Sequence, residues 1–468
     1  MSRVIVIGAG ASGLMAAAAA AENGHEVLVL ERNEKAGKKI YITGKGRCNL
    51  TNACEPADFF THIVRNPRFL YSAIYDFDAA SMMAFLKANG CPVKTERGNR
   101  VFPVSDHASD VTAAILRYLH KKKVQIRYHS RVTRILTQGT GSECTVTGVA
   151  VRTDRNPTYP NPTDQDPPAQ VSPGKKHPAG RQTETVLPAD AVIVCTGGLS
   201  YPSTGSEGDG YRFAKEAGLD VLPAFPSLVP LTVREEWCPR LQGLSLKNVE
   251  LTIREAGKKK PVSSGFGELL FTHFGISGPL VLTASAKLDF AEGGGDRAAG
   301  DARTYEAYLN LKPALTREQL IRRIGREIEA GRGKEIRSLL RALLPARLAD
   351  AVAVMAFGEG GEEGGGSVAG ASRRASSLQD KEIATLADLI QNVPMTITGT
   401  RGFSEAVVTR GGVSTKEIDP HTMESRKCRG LYFAGEVLDV DALTGGFNLQ
   451  IAWSTGHLAG TSIGQSPS

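Results

Sequence analysis

The feature that most constrains this chain is the hexamer Gly8-Ala9-Gly10-Ala11-Ser12-Gly13, set between the apolar run Val4-Ile5-Val6-Ile7 and the Ala-rich stretch Leu14 to Asn23. Four apolar residues bounded by a glycine turn read as a buried strand, and the Ala-rich stretch, stopped by Gly24, reads as a helix. Val27-Leu28-Val29-Leu30 then gives a second strand, closed by Glu31. This is a βαβ unit. The glycines fit G-x-G-x-x-G in the context that makes the pattern meaningful. Gly8 allows the tight turn, Gly10 lets the backbone approach a pyrophosphate, and Gly13 lets helix and strand pack closely. The helix start offers free N–H groups and a positive dipole end to phosphate. Glu31 is placed to accept hydrogen bonds from a ribose diol, and its charge opposes a 2′-phosphate.

A late cluster chooses between FAD and NAD. Gly430 to Ala434 reads as a strand ending in Gly435-Glu436, where the acid can hold a ribityl hydroxyl. Gly445-Gly446-Phe447-Asn448 then opens a helix over Phe447 to Ala459. Its N–H groups suit the flavin edge that gains negative charge on reduction. A plain NAD dehydrogenase has no need of this cluster, so FAD is the expected cofactor. A third segment, Lys35 to Lys39 and Thr43 to Asn52, follows Glu31 and mixes cations and glycines with short polar side chains. Val192 to Thr196 with Gly197-Gly198 reads as a further pass of chain beside the cofactor. The expected cofactor-binding residues are Gly8, Gly10, Ala11, Ser12, Gly13, Glu31, Arg32, Lys39, Gly46, Arg47, Cys48, Asn49, Thr196, Gly197, Gly198, Gly435, Glu436, Gly446 and Phe447.

At 468 residues the chain is too long for one ordinary core. The expected fold class is α/β, a Rossmann-like FAD-binding domain of glutathione reductase type, over residues 1–205 and 411–468. Short strands between Leu231 and Leu311 predict a β-rich, barrel-like substrate-side domain over 206–311 and 392–410. Helical periodicity in Arg317 to Ala330, Ile336 to Leu344, Arg347 to Met355 and Lys381 to Gln391 predicts a helical domain over 312–391. Asp154 to Gln182, rich in Pro, Asn, Asp and Gln, reads as a disordered hairpin tip or insertion. The Gly-rich runs 292–301 and 358–377 read as a loop and a mobile segment.

With 56 Lys and Arg against 49 Asp and Glu the net charge is +7, read as a mildly basic enzyme surface and not a nucleic-acid footprint. The seven cysteines are odd in number and include no C-x-x-C, which argues against a disulfide framework and a zinc site and fits a reducing, cytoplasmic compartment. Cys48 and Cys54 have five residues between them, one more than the redox pair of the disulfide reductases, and read as ordinary thiols. The apolar start is broken by Gly8, Gly10 and Gly13, so neither a targeting segment nor a membrane span is expected. No second glycine fingerprint follows a strand, so no separate NAD(P)H domain is expected.

At a finer grain the chain resembles the bacterial flavoprotein family known as aminoacetone oxidase-like or as linked to bile-acid dehydroxylation. The matching segments are VIVIGAGASGLMAA, TGKGRCNLTN, CTGGLSYPSTGSEGDGY, GELLFTHFGISGPLVL, AVVTRGGVSTKEIDPHTMESR and GLYFAGEVLDVDALTGGFNLQIAWSTG, in this order along nearly the whole chain. The resemblance implies an FAD domain interrupted by a β-barrel-like and a helical domain. It also implies that the Val132 backbone meets the adenine, that Glu31 holds the adenosine ribose, and that Asn448 and Leu449 lie near the isoalloxazine. His273 falls in a segment that should border the flavin, a candidate general acid or base. The expected function is FAD-dependent transfer of hydride or electrons between a small organic substrate and NAD(P)H or oxygen. The alternatives are an FAD-dependent RNA-modifying flavoprotein and a non-catalytic flavin-binding protein.

Overall fold

A strand buried on both faces must sit inside a parallel sheet covered by helices. In the computed structural model, which describes residues 1–139, 141–153, 184–290, 303–331, 333–358 and 370–464, the strand Arg3–Ile7 takes that place. It pairs in parallel with Glu26–Leu30 on one side and Ala191–Val194 on the other. Gln125–Arg127 and Leu431–Phe433 complete a five-stranded sheet. The first and last parts of the chain therefore share one sheet, as a Rossmann-like fold closed by the C-terminal segment requires.

The first helix, Ala11–Glu22, is buried from Ser12 to Ala20, and only small side chains allow that. It packs on the last helix, Phe447–Thr461, backbone against backbone. A Cβ on Gly456 would overlap the Ser12 carbonyl, and one on Gly460 the Ala16 carbonyl. Glycine inside a helix costs about 1 kcal/mol relative to alanine, and here it permits the close approach.

The chain gathers into two compact units, residues 1–226 with 408–468, and residues 227–407. The helix Asp209–Glu216 and the strand Val221–Ser227 fall at the end of the first segment, beyond the boundary read from the sequence at 205. The reason is burial: Phe213 and Ala214 pack into the core of the first unit. Strand Val221–Ser227 pairs with Val408–Val413, where the chain leaves and re-enters that unit.

The second unit holds a closed six-stranded barrel, in the order Leu231–Val233, Gly275–Ser277, Pro261–Thr272, Ser245–Glu255, Tyr305–Asn310 and Val393–Thr400. Tyr305–Asn310 alternates buried and partly exposed residues along its whole length, the period of a half-buried strand. The helices Arg317–Ala330, Ala346–Phe357 and Asp380–Gln391 do not form a core of their own. Leu320, Ile324, Val352, Leu386 and Ile390 join Leu251, Ile253, Phe271 and Leu309 of the barrel in one apolar cluster.

Of the segments read as loops, 154–182 and 292–301 lie outside the described residues, as does 359–369 of the third. Its remainder differs from the expected mobile run: Ala371 and Ala375 are fully buried, and Ala375 N–H donates to the Lys334 carbonyl at 2.9 Å. Among the described residues no helix is long and apolar enough to cross a membrane, and no group of three His, Cys, Asp or Glu is arranged to hold a metal.

Candidate functional site

The glycine turn is held by backbone contact. Gly8, at φ +100°, donates its N–H to the Leu30 carbonyl at 2.8 Å, and a Cβ there would stand 2.6 Å from the Cys195 carbonyl oxygen. A Cβ on Gly13 would overlap the Gly8 carbonyl. At Gly10 the situation reverses, since nothing lies within 4 Å of the position a Cβ would take. Gly10 is also the N-cap of the first helix, and no side chain caps that end. The first-turn N–H groups, Ala11 and Ser12 among them, thus begin beside an open face, which suits phosphate oxygens.

Glu31 is 6% exposed. One carboxylate oxygen accepts the Ala9 N–H at 2.8 Å and the other accepts the Asn33 N–H at 2.8 Å and its amide at 2.7 Å. The acid therefore braces the glycine turn, and Oε2, with one bond made, keeps acceptor capacity for a hydroxyl. Its carbonyl accepts the Ser130 N–H at 2.9 Å, which brings the strand Ser130–Gln138, with Val132 buried, alongside.

The last helix begins in the same way. Gly446, at φ +100°, is its N-cap, no side chain caps it, and a Cβ there would overlap the Thr51 backbone. The segment 49–52 is tied to this end by polar bonds. With its amide oriented to satisfy both partners, Asn49 accepts from Gly446 N–H and donates to the Thr51 carbonyl, each at 3.2 Å. Asn52 donates to the Gly445 carbonyl at 3.1 Å, and the Trp453 indole donates to the Leu50 carbonyl at 2.9 Å. Asn448 turns back to bond Ala442 at both its N–H and its carbonyl, which fixes the loop before the helix. Leu449 is partly buried against the core.

Next to the start of the first helix, where Gly435 lies on Ser12, is a charged network. Lys39 reaches the Glu436 carboxylate at 2.6 Å and the Ser200 hydroxyl at 2.5 Å. The other Glu436 oxygen accepts from the Ser200 hydroxyl and from Thr409 N–H at 2.9 Å. Thr409 Oγ1 in turn accepts the N–H groups of Leu199 and Ser200 at 2.8 and 3.0 Å. These bonds hold the turn Thr196-Gly197-Gly198 against Glu436. Gly435 lies on Ser12, 2.5 Å from its hydroxyl to where a Cβ would be. The structure thus brings together Gly8 to Gly13, Glu31, Lys39, Asn49, Thr196 to Gly198, Gly435, Glu436, and Gly446 to Asn448. Ser200 and Thr409 were missed from sequence, although Ser200 follows Gly198 by two residues and Thr409 precedes Arg410-Gly411-Gly412.

Other expected residues have different neighbours. Arg47 gives its guanidinium to Glu96 and to Asp106 at 2.7 Å and lies over the Phe102 ring. Arg32 bonds Glu207 at 2.8 Å and the Gly205 carbonyl at 3.3 Å. Gly46 sits in the turn Thr43–Gly46 at φ +85°. Cys48 is fully buried, and burial pushes its thiol up to about 12, so it stays protonated. Burial also raises the Cys54 thiol, and both cysteines are free. His273 is exposed in the turn between Pro261–Thr272 and Gly275–Ser277, in the second unit. His62, not singled out from sequence, stacks on Phe447 with ring centroids 4.3 Å apart and shares a hydrogen bond at 3.0 Å between Nδ1 and the Asp58 carbonyl.

Two uncapped helix starts, an acid at the end of the second strand and a second acid on a lysine suit the diphosphate, the ribose and the polar flavin edge of FAD. Fold and site define a Rossmann-type flavoprotein oxidoreductase. The chain belongs to the family described as the HI0933-like protein Rossmann domain, whose model matches residues 2–155 and 169–462. It is 29% identical over 469 aligned residues, covering 100% of both chains, to the 3-dehydro-bile acid delta(4,6)-reductase of Clostridium scindens. It is also similar to two proteins named ribosomal RNA dihydrouridine synthase. Identity to that of Escherichia coli is 29%, over 96% of this chain and 95% of the relative. Identity to that of Haemophilus influenzae is 30%, over 99% and 98%.

Proposed function

We propose that this chain is an FAD-dependent reductase that adds hydrogen across a carbon–carbon double bond conjugated to a carbonyl in a small organic substrate, with NAD(P)H as electron source. Both kinds of relative support the bond type, for a delta(4,6)-reductase and a dihydrouridine synthase each name the saturation of such a bond. Bound FAD supplies a two-electron store that accepts hydride from one partner and returns it to another. The net change is C=C plus NAD(P)H plus a proton, giving CH–CH plus NAD(P)⁺.

In this reading Gly8 to Gly13 hold the diphosphate, Glu31 the adenosine ribose, and the Val132 backbone the adenine. Glu436, oriented by Lys39 and Ser200, holds a ribityl hydroxyl. The observation that carries the reading is the uncapped helix start at Gly446, locked on Asn49 and Thr51. It fixes N–H dipoles before any charge develops, the preorganised arrangement that stabilises an anionic flavin edge. His62 and His273 are the imidazoles for the proton. The Nδ1 of His62 lies 3.0 Å from the Asp58 carbonyl and 3.1 Å from the Thr61 hydroxyl.

A second reading places the double bond in a uracil ring of RNA, favoured by the two relatives named dihydrouridine synthase. The test is the visible spectrum of the purified protein, the nucleotide it releases on heating, and anaerobic bleaching by NADH and NADPH. Bleached enzyme is then mixed with a steroid enone or with ribosomal RNA. Reoxidation by the enone supports the first reading and dihydrouridine in the RNA the second. A flavin that neither compound reoxidises defeats both.

A further inference from the structure

The chain between Ser200 and Asp209 touches both ends of the candidate FAD site. At one end Ser200 is pinned to Lys39 and Glu436. At the other, the Thr204 carbonyl accepts the Asn33 amide at 3.0 Å, and the Gly205 carbonyl accepts from Arg32 at 3.3 Å. Ser206 is buried on the cofactor-side turn, where a Cβ on Gly197 would stand 2.7 Å from its hydroxyl. Pro202, Ser203 and Glu207 are exposed on the opposite side. One short stretch therefore runs from the Glu436 end of the site to the Glu31 end, with an inner face on Gly197 and an outer face in water.

The far end of this stretch is fastened by charge. Glu207 bonds Arg32 at 2.8 Å and lies 3.7 Å from Arg131, which itself bonds Asp209 at 2.9 Å. The Glu207 side chain is 45% exposed, so water and salt reach the fastening. The backbone shows where the stretch can swing. Gly205 at φ +100° and Gly208 at φ +84° take left-handed conformations that glycine adopts freely. Tyr201 holds φ +50°, which is costly for a residue with a Cβ and persists only where its surroundings impose it. A pinned end, a strained residue, a glycine at the far end and an exposed ion-pair fastening are the parts of a hinged element.

We propose that residues 201–208 form a strap across the FAD site, which opens to let the cofactor in and out, and that Glu207 on Arg32 and Arg131 is its latch. This rests on the reading that FAD is held by Gly8 to Gly13, Glu31 and Glu436. The latch joins one part of the chain to another and not to the cofactor. Weakening it therefore speeds entry and exit alike and leaves the affinity in place. Loss of a residue that holds FAD itself has a different signature, since it speeds exit and leaves entry nearly unchanged.

The test follows flavin fluorescence. Its return on dilution of the holoenzyme gives the release rate, and its quenching on mixing FAD with the stripped full chain gives the binding rate. E207Q should raise both rates about threefold, and E207K, which sets like charges against each other, roughly tenfold. The dissociation constant should stay within about twofold of the wild type in both. Raising salt from about 0.1 to 1 M shortens the screening length from about 10 to 3 Å. Relative to E207Q, salt should then speed release from the wild type and slow it from E207K. R134Q breaks an exposed ion pair with Glu184 in the same unit, away from the strap, and should match the wild type. Rates in E207Q and E207K equal to those of the wild type overturn the proposal. So does faster release with unchanged binding and weaker affinity, or an equal effect of R134Q. These outcomes leave the flavin reading standing, whereas a wild type that binds no FAD overturns that reading and the strap with it.

Discussion

Two pairs of helices, one in each unit, begin differently. In the first unit the two helices that meet the cofactor residues start at Gly10 and Gly446, and no side chain caps either. In the second unit the helices Arg317–Ala330 and Asp380–Gln391 start with complete capping boxes, Thr316 with Gln319 and Gln379 with Glu382. An N-terminal turn leaves backbone N–H groups that need acceptors. The helices Arg317–Ala330 and Asp380–Gln391 take acceptors from their own side chains. The helices behind Gly10 and Gly446 leave them for something else, and at Gly10 the glycine keeps the space clear. A missing cap beside open space is therefore a sign of a ligand, and a full capping box is a sign of a helix that serves the fold.

The largest expected effect comes from closing that space. Gly10 has an ordinary φ of −80° and room for a side chain, so Gly10→Asp should build a good N-cap without strain. The apoprotein should fold as well as the wild type, or more stably by a few tenths of a kcal/mol. The new carboxylate would stand where phosphate is expected and repel it, so FAD affinity should fall by about 1,000-fold or more, roughly 4 kcal/mol. Isothermal titration of apoprotein with FAD reads this directly. Retention of FAD by a folded Gly10→Asp protein would break the comparison.

Next in size is Glu436→Gln. The amide keeps the shape but leaves the Lys39 ammonium, 24% exposed, without its counter-charge. Loss of a charged acceptor in a partly buried network costs about 1–3 kcal/mol, so the FAD dissociation constant should rise about 10- to 100-fold. A rise in Kd with the melting temperature of the apoprotein unchanged assigns the network to the cofactor. A fall in melting temperature at constant Kd would make it a structural brace.

Buried thiols occur in both units, since burial also raises Cys238 in the second, and those of the first give a pH-dependent test. Burial pushes Cys48 and Cys195 in the first unit from the ordinary 9.0 up to about 12. A thiol is neutral with its proton on, so the folded state keeps these protons over a range where the unfolded chain has lost them. Between pH 9 and 12 the unfolded state binds fewer protons, and stability falls as pH rises, by up to about 1.4 kcal/mol per pH unit for each thiol. Cys48→Ala with Cys195→Ala should flatten that fall. Urea unfolding of a Trp237→Phe background, which leaves Trp453 of the first unit as sole reporter, measures it. An unchanged alkaline slope would mean that these thiols are not as closed off as their burial implies.

What the sequence made legible follows from the range of each signal. The βαβ unit rests on spacing over a few residues and appears at nearly the bounds read for it, while the short strands read between Leu231 and Leu311 fall in a closed barrel in which Ser245–Glu255 and Pro261–Thr272 are longer than local pattern shows. The helix Asp209–Glu216 was missed because a run punctuated by Pro202, Gly205 and Gly208 reads as loop, and only long-range burial of Phe213 makes it a helix of the first unit. The helices at Pro56–Thr61 and Tyr71–Asp76 are too short for periodicity to show. The Glu436 site was legible as an acid after a strand, but its partners Ser200 and Thr409 come from distant segments that no local pattern links. Arg47 shows the converse. Its place among glycines suggested phosphate, while its carboxylate partners Glu96 and Asp106 are 49 and 59 residues away.

The smallest expected effect tests the second half of the comparison. Thr316→Ala removes the side-chain acceptor that serves the Gln319 N–H at 3.2 Å, and it leaves Gln319, whose amide oxygen accepts the Thr316 N–H at 2.9 Å, without its reciprocal bond. The loss should be about 1 kcal/mol, the usual cost of an N-cap threonine. Because the cap belongs to the fold and not to the ligand, the loss should be the same in apoprotein and in protein saturated with FAD. The first unit should behave in the opposite way, with stability that climbs with free FAD concentration by mass action. Denaturant unfolding of both proteins with and without FAD separates the two terms. If the cost of Thr316→Ala changes with FAD, the helix Arg317–Ala330 is coupled to the cofactor, and the division between helices that serve the fold and helices that wait for a ligand must be redrawn.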